Sequence, residues 1–254
     1  MVRSTKAIAG FFAVLLLAAN AGAQTPPQPP PPLWDWQVGG SFVGTSGNTD
    51  TGTVGADFAY HGRWPVWKVE STATAIHATD TGRTTAERYL AALRDSRKLT
   101  PIIGFTAGER IERDQLSGID VRNVLDGGLS WALVRTPAWT FDAVTSIAWL
   151  HESQVGGTDI DHPTGVLQAL SRIPFGASGD TTQRFTYYPD FSVSTSYRSE
   201  AEITAQGAMT ERLALKFGYL WRYSNAPVPG FKKIDNTTTA SVLLRWKAST
   251  LAAP

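Results

Sequence analysis

The feature that most constrains this chain is an alternation of apolar and polar residues with a period of two, which runs from Trp36 to Trp246. In the clearest segment polar or small residues separate a regular apolar series, namely Leu213, Leu215, Phe217, Tyr219, Trp221 and Tyr223. Successive side chains of a β-strand point to opposite faces, so this period indicates strands with one apolar and one polar face. No comparably long stretch has a helical period. The chain is therefore predicted to be all-β.

Twelve such segments of about ten residues can be counted. The number of strands is defined to within two, because the eighth and tenth segments alternate weakly. They cover residues 36–45, 53–63, 67–78, 86–97, 102–112, 121–133, 139–151, 165–175, 183–193, 200–208, 213–224 and 237–246. An even number of strands of this length is what a single-chain bacterial outer-membrane barrel requires. The segments predict an antiparallel transmembrane β-barrel with an up-and-down meander order.

The connections between these segments alternate between a short set and a generally longer set. The short set is 64–66, 98–101, 134–138, 176–180 and 209–211, and the other set is 46–50, 79–85, 113–120, 152–163, 194–199 and 225–236. With both termini in the periplasm, the short set forms periplasmic turns and the other set forms extracellular loops, which is the asymmetry of outer-membrane barrels.

Aromatic residues fall where the two membrane interfaces of such a barrel would lie. Tyr60, Trp67, Trp131, Trp139 and Trp246 are near periplasmic strand ends, and Trp149, Trp221 and Tyr223 are near extracellular ends. Two girdles of amphipathic rings are typical of membrane barrels. The alternative is a soluble barrel or sandwich with an aromatic core. A sandwich rarely repeats one apolar face through all its segments, which favours the membrane barrel.

The two ends of the chain are predicted to lie outside the barrel. Residues 1–23 have the basic start, the apolar run and the Ala21-Gly22-Ala23 site of a secretory signal peptide, so the mature chain is predicted to begin at Gln24. A Pro-rich spacer (24–33) precedes the barrel (34–246), and a tail (247–254) follows it. Beyond the signal peptide no apolar stretch approaches the roughly 18–20 residues of a membrane helix. The predicted location is the cell outer membrane of a Gram-negative-type bacterium.

The amino-acid composition restricts the kinds of partner that the protein is expected to bind. Without residues 1–23 the chain carries 21 Lys and Arg against 22 Asp and Glu, a near-neutral balance that offers no footprint for nucleic acid. Cysteine is absent, so disulfides are excluded. The expected partners are outer-membrane lipid, lipopolysaccharide and the barrel-assembly machinery, with the oligomeric state left open.

Short motifs resemble those of a known family. The residues concerned are Ser46, Gly47, Asn48 and Thr49 after a first strand that opens with Trp36, then Gly127-Gly128, and finally Pro227-Val228-Pro229-Gly230 followed by Asp235. Their order and spacing resemble the salt-induced outer-membrane proteins (YdiY-like), a bacterial family of unknown function. The resemblance covers Trp34 to Trp246. It implies an outer-membrane barrel with a role in the envelope under osmotic stress, and it supplies no site residues. The chain departs from outer-membrane barrels in having Lys247 to Pro254 after its last aromatic residue.

The inward-facing positions of the predicted strands carry ten basic and eight acidic residues. The basic residues are Lys68, Arg88, Arg94, Arg110, Arg122, Arg172, Arg184, Lys216, Arg222 and Arg245, and the acidic ones are Asp57, Glu70, Glu112, Asp126, Asp142, Glu152, Asp190 and Glu202. This set fits either an ion-pair network that fills the lumen or a narrow pore for small anions. The near balance of charge favours the network. If there is a pore, Arg110, Arg122 and Arg222 are the predicted lining residues.

A rim-located lipid-acting enzyme is a further alternative, because His77 and His151 fall near extracellular strand ends on the lipid-facing side. Glu152 points away from His151, however, and no motif places a serine beside either ring. Asp80, Asp159, Asp161 and His162 lie in predicted loops without the spacing of a calcium loop. No catalytic residue, cofactor or metal is therefore predicted.

Two smaller expectations concern the strand interiors. His61 is predicted to face the lumen alone, as an interior residue with its hydrogen bonds satisfied rather than as a ligand. Gly39-Gly40 and Gly127-Gly128 lie within strands, where paired glycines predict bulges or tight barrel curvature.

Overall fold

A computed structural model describes residues 33–46, 51–80, 83–157, 159–176 and 178–247. The predicted signal peptide, almost all of the Pro-rich spacer, Gly47 to Thr49 and the tail after Lys247 lie outside these ranges. The strands are β1 (Trp34–Ser46), β2 (Thr51–Arg63), β3 (Trp67–Asp80), β4 (Arg83–Lys98), β5 (Ile103–Asp114), β6 (Ile119–Arg135), β7 (Thr140–Gln154), β8 (Ile160–Phe175), β9 (Gly179–Pro189), β10 (Tyr197–Ala208), β11 (Leu213–Ser224) and β12 (Ile234–Lys247). A short 3-10 helix (Gln115–Ser117) follows β5. Within these ranges no helix is long and apolar enough to cross a membrane.

The strands form one closed barrel. Each pairs antiparallel with its neighbours in the chain, and β1 also pairs with β12. At this seam the rings of Trp36 and Trp246 stack with their centroids 4.0 Å apart. Closure gives every strand two hydrogen-bonding neighbours, which is the only way a sheet can satisfy its backbone in lipid. The prediction of an all-β, twelve-stranded meander barrel is confirmed.

We call the end that carries Trp34 and Lys247 the base of the barrel and the opposite end the mouth. The strands tilt strongly between the two. A path through paired residues starts at the base of β1 and reaches the middle of β7 by way of Trp34, Gly62, Val69, Asp95, Ala107, Gly127 and Ile147. Hydrogen bonds run perpendicular to the strands. When the strands are inclined to the barrel axis, each step from one strand to the next therefore moves closer to the mouth. Inclination brings residues that are far apart in sequence to the same level of the lumen.

The outer wall is apolar and the inner wall is polar. Val54 and Ile147 are each 71% exposed, and Phe42, Leu125, Phe217 and Val242 are also exposed outward. The buried inward positions include Ser41, Thr106, Glu112, Asp126, Thr186 and Ser241. A soluble barrel has the reverse distribution, because exposed apolar surface costs about 25 cal/mol per Å² in water. The wall is therefore suited to lipid.

Aromatic rings occupy both ends of this wall. Near the base, Trp67 lies against the Arg97 guanidinium, 5.4 Å from the ring centroid. Near the mouth, Tyr197 contacts Tyr187 and Tyr223, with centroids 5.6 and 5.8 Å away, and Trp221 stacks on Tyr223. These rings lie where the two girdles were expected.

Several strands extend into predicted loops, so the connections differ less in length than expected. The predicted loop 152–163 shrinks because β7 reaches Gln154 and β8 begins at Ile160. The predicted strand 183–193 was placed too late, since β9 is Gly179–Pro189. Asp190 ends it: its carboxylate accepts the backbone N–H groups of Ser192 and Val193 at 2.8 and 3.0 Å and turns the chain.

The predicted bulges at the glycine pairs are wrong. The ladders run without a register shift through Gly39-Gly40 and Gly127-Gly128. The shifts occur elsewhere, for example between Ala132 and Val134 of β6. Gly128 instead allows the next strand to approach closely, because a Cβ there would collide with the Thr145 carbonyl oxygen.

Candidate functional site

The inner wall near the mouth is organised around one buried carboxylate, Glu112 of β5, which is 1% exposed. Four guanidinium groups approach its two oxygens. Arg110, Arg222 and Arg88 lie 3.1, 3.3 and 3.4 Å away, and Arg122 lies 3.9 Å away. The three arginines singled out from the sequence as possible lining residues are thus brought together on one carboxylate.

Some of these contacts join opposite walls of the barrel. β5 and β11 are six strands apart in a ring of twelve, so the pair between Glu112 and Arg222 spans the lumen. Arg222 also bonds Asp114 at the end of β5. Arg110 reaches Glu200 on β10 with two hydrogen bonds, of 2.9 and 3.2 Å. At this level side chains cross the lumen instead of lining it.

Further contacts tie this centre to the adjoining strands. Arg122 donates to Glu152 of β7 at 2.6 Å, and Gln154 donates to the other oxygen of Glu152 at 2.9 Å. Arg88 lies 3.5 Å from Asp114. Buried charges are tolerated only when they are paired and hydrogen-bonded. We call the cross-lumen set the plug: Arg88, Arg110, Glu112, Asp114, Arg122, Glu152, Glu200 and Arg222.

An aromatic side chain and one more arginine border the plug. The hydroxyl of the buried Tyr188 on β9 accepts a hydrogen bond from Arg110 at 3.4 Å. The Arg198 guanidinium lies over the Tyr188 ring, 4.9 Å from its centroid. Arg198 is the second residue of β10 and lies at the mouth end of that strand.

Towards the base the lumen contains a cavity of about 330 Å³, whose walls include Tyr188, Arg110 and Glu200. Three ion pairs between strands contribute charges to its wall. Arg94 makes two bonds of 3.0 and 2.7 Å to Asp126, Arg184 lies 3.3 Å from Glu202, and Lys216 lies 3.5 Å from Asp57. The cavity therefore lies between the plug and the base.

The connection between β11 and β12, residues 225–233, crosses the mouth, and we call it the lid. Val228 of the lid is 7% exposed. Its Cβ and the ring of Phe231 lie against Gly118 on the opposite side of the barrel, and a Cβ on Gly118 would come within 2.5 Å of that ring. Beside the lid, Ser117 donates to Asp235 at 3.1 Å. The segment Pro227 to Gly230 thus belongs to the lid, which covers the plug.

The other predicted residues do not assemble into a site. His77 and His151 lie on β3 and β7, which do not pair, and His151 contacts Asp161 at 2.8 Å. His61 faces inward but not alone, since its Nδ1 lies 2.9 Å from the Asp35 carboxylate.

Asp159 accepts from Ser153 at 2.7 Å, and His162 pairs with Asp190 at 3.3 Å. In the ranges that the structure describes, no three His, Cys, Asp or Glu side chains are grouped to hold a metal. The side chain of Asp80 lies outside this description. Ser46 is the last residue of β1, and the rest of the signature loop, Gly47 to Thr49, lies outside the described residues.

Sequence reasoning missed Asp114, Arg198 and Glu200. Asp114 and Arg198 fell in the predicted loops 113–120 and 194–199, whereas β5 and β10 extend through them. Glu200 shares the inward parity of Glu202, so the alternation alone could have found it.

These features define a class. A closed twelve-stranded antiparallel barrel with an apolar outer wall and a charged lumen is a porin-like β-barrel. The NanC porin has this fold, with a TM-score of 0.55 at 12% identity over 82% of this chain and 98% of that one. A bacterial polysaccharide outer-membrane secretin aligns with a TM-score of 0.48 at 7% identity, covering 86% of this chain and 100% of its own. The translocator domain of the autotransporter NalP from Neisseria meningitidis also gives 0.48, at 12% identity over 95% and 97% of the two chains. Only the NanC porin, with a TM-score above 0.5, supports the fold, and at 12% identity it shows nothing beyond the fold.

Residues 38–246 match the family described as "Protein of unknown function, DUF481", and the chain belongs to that family. No curated protein matches the sequence.

Proposed function

We propose that this protein is an exported outer-membrane β-barrel whose lumen is closed by the plug. The observation that carries the proposal is the pair of contacts between opposite walls, Arg222 with Glu112 and Arg110 with Glu200. A solute on the barrel axis would have to break several buried ion pairs at once. Leaving one member of a buried ion pair uncompensated costs about 3–5 kcal/mol, which disfavours spontaneous opening.

The orientation follows from the connections. The base carries both ends of the barrel and connections of three or four residues, whereas the two longest connections, 190–196 and 225–233, are at the mouth. The base therefore faces the periplasm in this proposal. The mouth, with the lid above the plug, faces the cell exterior. The outer wall then contacts membrane lipid and lipopolysaccharide, after export through the signal peptide and insertion by the barrel-assembly machinery.

A closed barrel fits a structural role in the envelope under osmotic stress, the role that the resemblance to salt-induced outer-membrane proteins implies. A membrane exposed to changing salt can hold many copies of a closed barrel without gaining a leak. The proposal assigns no catalytic residue, because the rim histidines are on strands that do not pair.

A narrow channel for small anions is the second candidate, and the cavity below the plug favours it. Counted with Arg198, the plug region has five arginines, Arg88, Arg110, Arg122, Arg198 and Arg222. Its carboxylates are those of Glu112, Asp114, Glu152 and Glu200, with Asp235 beside them as the register partner of Arg222. If the plug rearranged so that these arginines faced an open path, their guanidinium groups would attract anions.

Single-channel recording of the refolded mature chain in a planar bilayer tests the proposal. We expect no steady conductance from the parent protein and measurable steps from the double variant Glu112→Gln with Arg222→Gln, which removes one cross-lumen pair. The control is Arg184→Gln with Glu202→Gln, which removes a pair between the adjacent strands β9 and β10. Steady anion-selective steps from the parent protein would favour the channel instead.

A further inference from the structure

Arg198 differs from every plug arginine because it has no ion pair with any of the residues that the structure describes. Its guanidinium lies over the Tyr188 ring at 4.9 Å, and among the described residues no carboxylate oxygen lies within 4.0 Å of it. The face of a ring attracts a cation but does not neutralise it. This partly buried guanidinium at the end of a charged network therefore has no carboxylate in direct contact with it among the described residues.

The nearby carboxylates are already engaged. Glu152 and Glu200 are the acidic groups that act electrostatically on Arg198, and Arg122 repels it. Glu152 is held by Arg122 at 2.6 Å, and both oxygens of Glu200 accept from Arg110. If either carboxylate turned to Arg198, Arg122 or Arg110 would lose its shortest ion pair and keep only its contact with Glu112.

Arg198 lies two residues nearer the mouth on β10 than Glu200, so it stands at the outer edge of the plug. A neighbouring donor is also available. The oxygen of the Tyr188 hydroxyl accepts from Arg110, and no acceptor for its hydrogen is found among the described residues. A guanidinium and a hydroxyl hydrogen together are donors suited to an oxyanion.

We propose that Arg198, assisted by the Tyr188 hydroxyl, binds one small oxyanion, a carboxylate or a phosphate, on the mouth side of the plug. The planar fork of the guanidinium matches two oxygens of such a group, which favours oxyanions over spherical anions. The proposal deepens the proposed function, on which it rests for the orientation of the mouth towards the exterior. It assigns the plug an anion-recognising outer face.

Equilibrium dialysis of the refolded mature protein against radiolabelled inorganic phosphate, at fixed ionic strength, tests the site. We expect about one phosphate per barrel for the parent and, for Arg198→Gln, an affinity lower by about tenfold or more, as expected for the loss of a charge-assisted hydrogen-bonding partner. Tyr188→Phe should weaken binding less. Acetate that displaces phosphate marks a general oxyanion site, and acetate that does not displace it marks a phosphate site; both outcomes support the proposal.

The matched control is Arg184→Gln, which removes a lumenal arginine from the same pair of strands but one that has a carboxylate partner, Glu202. It should bind phosphate like the parent. If Arg198→Gln does not fold, Arg198→Lys keeps the charge and loses the fork, and it should bind more weakly than the parent.

Absence of saturable phosphate binding by the parent, or undiminished binding by the Arg198 variants, overturns the inference. A parent that conducts but still binds phosphate through Arg198 overturns the closed lumen alone. A parent that neither conducts nor binds phosphate overturns the anion site alone.

Discussion

Replacing Glu112 with Gln keeps the shape of the side chain and removes the negative charge that four arginines share. Removing one partner of a buried pair costs about 3–5 kcal/mol, because the other charge stays buried. The lower end of this range applies here, since Arg222 keeps Asp114 and Arg110 keeps Glu200. With a urea dependence of about 3 kcal/mol per M for a chain of this size, the unfolding midpoint should fall by about 1 M.

The assay is urea unfolding in phospholipid vesicles, followed by tryptophan fluorescence and approached from both the folded and the unfolded side. Glu202→Gln is the control, because it makes the same chemical change on the same inner wall. The Arg184–Glu202 pair has side chains 45% and 37% exposed, and such pairs contribute at most about 1 kcal/mol. Its midpoint should therefore shift by about 0.3 M or less.

Equal midpoint shifts for the two variants would refute the reasoning, because burial and shared charge would then have no special effect at Glu112. A double-mutant cycle with Arg222→Gln adds a second check. If the two side chains interact across the lumen, the loss in the double variant is smaller than the sum of the single losses.

Three further outcomes are expected. Glu109 is exposed on the outer wall with Asn123 bonded to it at 3.1 Å, so Glu109→Leu should raise the urea midpoint by about 0.3 M in lipid; a lower midpoint would show that a polar partner covers this face. Gly118 has a φ of +77° and touches the lid, so Gly118→Ala should speed tryptic cleavage within the lid, and an unchanged rate would contradict this contact. The stacked rings of Trp36 and Trp246 should couple by about 0.5–1.5 kcal/mol in a double-alanine cycle of urea unfolding, whereas additive losses would rule out direct coupling across the seam.

Much of the fold could be predicted because its cause is local. A residue and the one two places further on share a face of the strand, so Leu213, Phe217 and Trp221 mark one wall without knowledge of any partner strand. Strand ends were less predictable, because a side chain that continues the alternation can instead form hydrogen bonds that turn the chain. The alternation predicts that Asp190 lies within a strand. Its carboxylate instead accepts hydrogen bonds from the following turn, and β9 ends at the preceding residue, Pro189.

The sequence by itself determined which residues face lipid and which face the lumen, and hence that Arg110, Arg122 and Arg222 point inward. It could not determine that they meet at Glu112. Arg222 and Glu112 are 110 positions apart, and their meeting requires a closed ring of twelve strands with a tilt that brings both to one level. The same alternation is compatible with an open pore or with a plug. Only the tertiary structure shows the ion pairs that cross the lumen, because the distances and directions between side chains on opposite walls are properties of the closed sheet and not of any single strand.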